Sequence, residues 1–404
     1  MLGRKALFFV AKIDNKRYRC YDIINKNKTG KMFMIKFVLL LLPVFLGVFV
    51  FVYFFLRRSL RAFSLDTSNI KVKIALIAIS LALTLLSFNI SSMLTVFLLH
   101  LMGIDLFLRL VVFIFNKVIK PKETKIFNNL KKIYKSGIVS ILAVAVLLVF
   151  GYFNLQNVKA TEYSISTNKD IRDEGYRVLL IADMHYGVSL DFDELTRKCA
   201  EMSEFDPDIV VLCGDIVDNG TSPEEMQALF KALGGIKSKY GIFYVYGNHD
   251  RSMRLLESEF GDDDLQKAIT DNGIKILRDE VITLNDEFTV VGREDRSRER
   301  KTVFELQKDI DENDYVLVLD HQPSEYAENA KGKTNLVLSG HTHAGQFFPV
   351  NYLLELVPFN DGVYGMYDID DDTKAIVTSG FAGWAYPSKT SSPAEYAVID
   401  IKPQ

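Results

Sequence analysis

Five of the six histidines in this 404-residue chain lie in four short motifs of its C-terminal part. They are His185 in Asp183-Met184-His185, His249 in Gly247-Asn248-His249-Asp250, His321 in Asp320-His321-Gln322-Pro323, and His341 and His343 in Gly340-His341-Thr342-His343. A fifth motif, Cys213-Gly214-Asp215, adds a carboxylate. Neutral imidazole nitrogens and carboxylate oxygens are the usual ligands of Zn, Mn or Fe. Asp183, His185, Asp215, Asn248, His321, His341 and His343 together can supply two metal shells. A carboxylate can bridge two ions about 3.5–4 Å apart, the spacing of two-metal hydrolytic sites. Asp215 is the best candidate bridge, because it follows an apolar strand and a glycine. Gly214, Gly247 and Gly340 allow tight turns that aim the next side chains inward. Taken singly, an aspartate after a strand is a turn or cap residue, Asn248 a turn residue and His321 a loop histidine. Their combination points to metal chemistry.

The elements that must position these residues read as an α/β chain. Short apolar runs at 176–182, 209–212 and 242–246 predict buried strands. Further strands are expected at 288–291, 315–319, 336–339, 375–378 and 396–401. Leu195, Cys199 and Met202 recur at helical spacing, and Ser222-Pro223-Glu224-Glu225 has the cap, the proline and the glutamate of a helix start. Strands alternating with helices imply βαβ units early in the domain, and the strand-rich later part suggests a second sheet. Asp183, Asp215, Asn248, His321 and His341 each follow an apolar strand within a few residues. Ligands of open α/β sheets bind beyond the carboxyl ends of strands, so five strand ends are expected to converge on one locus.

The N-terminal part is of another kind. Apolar runs at 37–56, 74–88, 93–115 and 137–153 are of membrane-spanning character. The break between the second and third, at Asn89, Ser91 and Ser92, is weak, and one long tilted helix is the alternative there. Asp105 and Arg109 interrupt the third run at i,i+4 and can pair on one helix face; they read as an interior ion pair or as a transport or relay site. The loops 57–73 and 117–135 carry five and seven Lys/Arg, and the connection 89–92 carries none. The positive-inside rule then puts both basic loops in the cytoplasm and the C-terminal domain outside. The first 33 residues carry nine Lys/Arg and would lie outside too, which suggests a true start near Met32 or Met34. The expected organisation is a basic tail at 1–33, a membrane domain of four helices at 34–156 and an α/β domain at 157–404. The net charge of −3 combines a basic N-terminal third with an acidic C-terminal part, which does not favour a nucleic-acid surface. The three cysteines, Cys20, Cys199 and Cys213, form no disulfide framework or zinc-cysteine spacing.

The order D-x-H, G-D-x-x-D, G-N-H-D, H and G-H-T-H resembles the calcineurin-like metallophosphoesterase superfamily over residues 177–401. The stretches Gly340 to Gln346 and Ser392-Pro393-Ala394-Glu395 are similar to a membrane-linked bacterial subgroup, the YkuE/YaeI-like phosphoesterases. That subgroup usually has Gly at Ala344, and Arg with Pro-Pro-Glu where this chain has Tyr386 to Glu395. The resemblance implies a four-layer αββα sandwich behind a transmembrane helical region. It implies two divalent metal ions (Mn, Fe or Zn), one held by Asp183, His185, Asp215 and His343, the other by Asp215, Asn248, His321 and His341. A hydroxide bridging the ions would attack phosphorus, with His249 as general acid and Asp218 as the carboxylate that orients it; Asp250 is the competing partner. The implied activity is metal-dependent hydrolysis of phosphodiesters or phosphomonoesters, of lipid-linked or cell-envelope molecules, by a multi-pass membrane protein. A membrane metal sensor or scaffold of weak catalytic power is the alternative, and a small transporter using Asp105 and Arg109 a third reading. The charged run 293–301 reads as a phosphate-attracting loop or a solvated one, and Phe381, Trp384 and Tyr386 as a site mouth, a lipid contact or core.

Overall fold

The computed structural model describes residues 28–404 apart from 89–91, 123, 188–190, 252–258 and 358, and side chains from residue 42 onward. Most of the basic tail, Cys20 and the weak break at Asn89 and Ser91 lie outside the described residues. Contacts divide the chain into two units, Met1–Val146 and Leu147–Gln404. The division falls inside the last apolar helix, whose Leu155 is buried in the core of the second unit.

The first unit contains α1 (Lys28–Ala62), α2 (Ile70–Ser87), α3 (Met93–Ile119), α4 (Lys125–Ser136) and the start of α5 (Ile138–Gln156). Among the described residues, four stretches are long and apolar enough to cross a membrane: Leu42–Ala62, Ile70–Ser87, Met93–Ile119 and Ile138–Gln156. The second and third are separate helices, since Ser92 caps the N-terminus of α3 by accepting from the N–H of Leu94. The expected basic loop 117–135 contains a helix, α4. Its Ile126, Leu130 and Ile133 recur at helical spacing and are exposed, and Thr124 caps it.

The second unit is an αββα sandwich. Its strands are β1 (Lys159–Thr167), β2 (Tyr176–Ile181), β3 (Ile209–Cys213), β4 (Ile242–Val245), β5 (Ile274–Ile276), β6 (Glu280–Leu284), β7 (Phe288–Gly292), β8 (Tyr315–Leu319), β9 (Leu336–Ser339), β10 (Gly365–Asp368), β11 (Lys374–Val377) and β12 (Glu395–Pro403). One sheet has the order β1-β12-β2-β3-β4-β5, the other β10-β11-β9-β8-β7-β6. Strands β2 to β5 run parallel, as do β7, β8, β9 and β11. The inner faces meet through Val178, Leu180 and Val211 of one sheet and Val290, Leu317 and Leu338 of the other. The outer face of the first sheet buries Leu179 and Val210 under α6 (Phe192–Glu204), α7 (Pro223–Leu233) and α8 (Asp262–Asp271). The outer face of the second buries Val316 and Val337 under α9 (Val303–Gln307) and α10 (Tyr326–Lys331). Each fully buried Val or Leu contributes about 1.5–3 kcal/mol. The start of α7 is a capping box between Ser222 and Glu225 with Pro223 at its first turn, and α6 buries Leu195, Cys199 and Met202, as their spacing predicts.

In the first unit, Asp105 is fully buried on α3. It accepts from Arg109 Nε at 2.8 Å, as the i,i+4 spacing predicts, and also from Arg58 Nη2 at 2.7 Å and Ser140 Oγ at 2.8 Å. One carboxylate thus ties α1, α3 and α5. Replacing Asp105 with Ala leaves two guanidinium groups without their shared partner. Thermal unfolding of the detergent-solubilised protein should show a loss of about 3 kcal/mol, the low end for a broken buried pair because Arg109 keeps some solvent.

Candidate metal centre

The carboxyl ends of β2, β3, β4, β8 and β9 carry the candidate residues into one place where the two sheets meet. Asp183 follows β2, Asp215 follows β3, Asn248 follows β4, His321 follows β8 and His341 follows β9. His343 opens a single 3-10 turn, His343–Gly345. Among the described residues, two groups could each hold an ion: Asp183, His185 and His343, and Asp215, His321 and His341, with ligand atoms within 4.8 Å of one another in each. Asp215 faces both groups. Its Oδ2 stands 3.1 Å from His321 Nε2 and 3.8 Å from His185 Nε2.

The donor set is chemically suited to cations. His185 Nε2 and His343 Nε2 converge at 3.1 Å, an approach of two imidazole nitrogens that a shared cation or proton stabilises. The Oδ1 of Asn248 is buried without a hydrogen-bond partner. His321 Nδ1 lies 2.8 Å from the carbonyl of Cys213, so its N–H donates there and Nε2 turns toward Asp215. Among the ligand candidates, Asp183, His185, Asp215, His341 and His343 all adopt positive φ, between 39° and 73°. Left-handed backbone at non-glycine residues costs about 1–3 kcal/mol each and persists where surrounding contacts over-determine it.

Those contacts are visible. The buried Asp250 carboxylate accepts backbone N–H groups from Asp215 at 2.9 Å, Ile216 at 2.8 Å, Val217 at 3.2 Å and Gly247 at 2.7 Å. It therefore joins the turns after β3 and β4 and does not serve as the orienting partner of His249. Asp183 accepts from the N–H of His341 through both oxygens, at 2.8 and 3.0 Å, and Asp215 accepts from the N–H of His249 at 2.7 Å. Gly214 is needed for its φ of +79°. Gly247 and Gly340 are needed for space instead: a Cβ would lie 2.2 Å from Asp215 Oδ1 or 2.3 Å from Asp183 Oδ2.

Burial and mutual charge set the protonation of the cage. Burial raises the Asp183 carboxyl to about 6, opposed by His321 and reinforced by Asp215. Burial also works against ionised Asp215, but His321 and His185 overcome it and hold this carboxyl well below the usual carboxylate range. His321 is raised despite burial, because Asp215 faces it. His341 falls to about 4 through burial and the nearby charge of His321, and His343 is pushed down by burial and His185. The cage thus combines an ionised Asp215 carboxylate at its centre with His321 held toward its protonated form beside it and neutral imidazoles at His341 and His343.

His249 stands apart from both groups, with its ring 5.2 Å from that of His185 and 5.6 Å from Trp384. Asp218 lies between two histidines: Oδ1 is 3.7 Å from His249 Nδ1, and Oδ2 is 3.4 Å from His185 Nδ1. The carboxylate expected to serve His249 is shared with His185. The aromatic cluster divides: Phe381 is core, Trp384 is beside His249, and Tyr386 packs on Phe347. The run 293–301 is neither a phosphate loop nor a solvated one at its start. Arg293, Glu294 and Asp295 are buried, and Arg293 and Arg300 both pair with Asp320 and Glu325. Asp320 precedes His321, so this ion network braces a candidate ligand. Sequence patterning missed it because a dense mixed charge run ordinarily marks solvent.

The sequence model of the family described as calcineurin-like phosphoesterase matches residues 176–345. A metallophosphoesterase of Aquifex aeolicus is 30% identical over 269 residues, covering 64% of this chain and 98% of the relative. The metallophosphoesterase YkuE of Bacillus subtilis is 23% identical, covering 67% of this chain and 96% of the relative. A transmembrane protein with metallophosphoesterase domain from Danio rerio is 27% identical, covering 67% of this chain and 63% of that protein.

Asp250→Ala would leave four buried backbone donors without their acceptor. The expected result is a loss of at least about 2 kcal/mol in thermal or denaturant unfolding of the whole protein, with weaker Mn²⁺ binding by calorimetry. Unchanged stability and affinity would remove Asp250 from the role of joining the two turns.

Proposed function

We propose that this chain, which belongs to the calcineurin-like phosphoesterase family, is a membrane-anchored hydrolase of phosphodiester or phosphomonoester bonds that works with two divalent ions. The observation that carries the reading is the pair of facing groups, Asp183/His185/His343 and Asp215/His321/His341, with Asp215 turned to both. The unpartnered Asn248 Oδ1 supplies a further neutral oxygen. This mixture of imidazole, carboxylate and amide donors suits Mn, Fe or Zn. Asp183, His185, Asp215 and His343 would hold one ion, and Asp215, Asn248, His321 and His341 the other. When bound, the ions lower the pKa of water and neutralise the phosphoryl oxygens.

The chain's own residues do the rest. Hydrolysis forms a bond between a water oxygen and phosphorus and breaks the bond from phosphorus to the departing alkoxide. His249 lies outside both groups and donates the proton that this oxygen needs. The carboxylate of Asp218, 3.7 Å from its Nδ1, is placed to orient the ring. Trp384 packs at the ring of His249 and limits its orientations. The basic loops 57–73 and 117–135 support a cytoplasmic location for those loops and an extracytoplasmic one for the catalytic domain.

The test is a substrate panel on the purified full chain with Mn²⁺. Hydrolysis of bis-p-nitrophenyl phosphate or p-nitrophenyl phosphate is expected, with loss on chelation. His249→Ala should lower kcat by about 10²–10⁴ without changing metal content. His343→Ala should lower metal content itself, read by elemental analysis. Bound metal with no turnover of either ester would favour a metal-binding sensor at the membrane and defeat the hydrolase reading.

A further inference from the structure

The segment that follows the metal centre is apolar and exposed. After the turn of His343, the chain runs through Phe347 and Phe348 into α11 (Val350–Glu355), a helix with no buried residue. Phe348, Tyr352, Leu353, Leu356 and Phe359 are each more than half exposed, and Leu356 reaches 81%. Soluble surfaces carry single exposed apolar residues without consequence, but a run of this kind marks a contact with another apolar phase.

What covers it is indicated by its neighbours within the second unit. The final turns of α5 expose Phe150 and Phe153, as lipid-facing residues of a candidate span do. The same turns are bonded to the loop 388–392: Asn154 Nδ2 donates to the carbonyls of Lys389 and Ser392, at 2.9 and 2.7 Å, and Lys389 N donates to the carbonyl of Gly151 at 3.0 Å. A Cβ on Gly151 would lie 2.4 Å from Ser388 Oγ, so helix and loop are in direct contact. That loop holds the start of the apolar segment. Thr390 N donates to the carbonyl of Gln346 at 2.8 Å, and Phe348 N donates to Thr390 Oγ1 at 3.0 Å. Gln346 then reaches the site, since its Oε1 accepts from the N–H of Trp384, the residue beside His249. A continuous set of hydrogen bonds therefore runs from the exposed apolar turns of α5, through the base of the apolar segment, to Trp384 beside the metal centre.

From this continuity we infer that the segment 347–357 seats in the lipid surface beside the last span, and that the site acts on amphiphilic phosphoesters whose apolar tails stay in the bilayer. The inference rests on the hydrolase reading and names its substrate class. The headgroup phosphate enters the metal centre while α11 displaces lipid at the interface, so the acyl chains need not leave the membrane. A helix with apolar residues on its exposed face binds in that way through buried apolar area.

The test uses the full chain with Mn²⁺ in phosphatidylcholine vesicles, and compares water-soluble p-nitrophenyl esters with long-chain phosphatidic acid and phosphatidylglycerol held in the same vesicles. Wild type should hydrolyse one of the two vesicle-borne lipids. A Leu353→Asp, Leu356→Asp variant should keep its rate on the soluble esters within about twofold and lose roughly tenfold or more on the lipid, as expected when charge replaces apolar contact at an interface. Retained soluble-ester turnover shows that the variant is folded. A second readout does not need turnover: because the chain has a single tryptophan, a Leu356→Trp, Trp384→Phe variant should be quenched by brominated lipid. Soluble esters cleaved with no lipid cleaved, equal lipid rates in wild type and the aspartate variant, or an unquenched Trp probe would each overturn the inference and leave the hydrolase reading standing. No ester cleaved by metal-loaded protein would instead bring down the hydrolase reading and this inference with it.

Discussion

The carboxylate of Asp250 is the contact on which the rest of the site depends. It is buried, and it gathers four backbone N–H groups from the turns that follow two neighbouring parallel strands. Those turns carry Asp215, Asn248 and His249, so a single side chain sets the spacing between the central carboxylate, an amide oxygen and the free histidine. A residue that is not itself a candidate ligand therefore governs several that are. The same logic recurs where Asp183 accepts the N–H of His341, and where Asp215 accepts that of His249. Each candidate carboxylate orders the backbone of another motif as well as presenting oxygen to the cage.

This ordering explains how so much unfavourable backbone is kept in one place. Asp183, His185, Asp215, His341 and His343 all sit in left-handed conformations that glycine would adopt more readily. Their cost is offset by the sheets beneath, whose inner faces are fully buried, and by interlocking hydrogen bonds between turns. Glycine appears instead where two strand ends come too close for a Cβ, at Gly247 and Gly340. Five of the seven candidate ligands are thus strained, and Gly247 and Gly340, which are not, give them room.

The last apolar helix belongs to both units of the chain. Its first turns lie in the membrane-type unit, and its final turns contribute Leu155 to the core of the sandwich. Here Asn154 and Gly151 bond to the loop beside Gln346, so the helix is built into the structure that supports the site.

Comparison of expectation with structure follows the sheet order. All eight interior strands are legible as short apolar runs, because a strand covered on both faces must be apolar throughout. The four that are not legible, β1, β5, β6 and β10, are the four edges of the two sheets. Each is half-exposed along part of its length, and only pairing to a neighbour makes it a strand. The same division holds in the site. The sequence by itself determined the inventory: seven candidate ligands, their place just beyond apolar strands, and a separate histidine, since residue type and strand ends are local properties. Only the tertiary structure decided that Asp250 joins two turns, that Asp218 is shared between His185 and His249, and that the charged run at 293–301 begins in a buried brace. These are relations between residues distant along the chain, and they exist only once the two sheets have packed face to face.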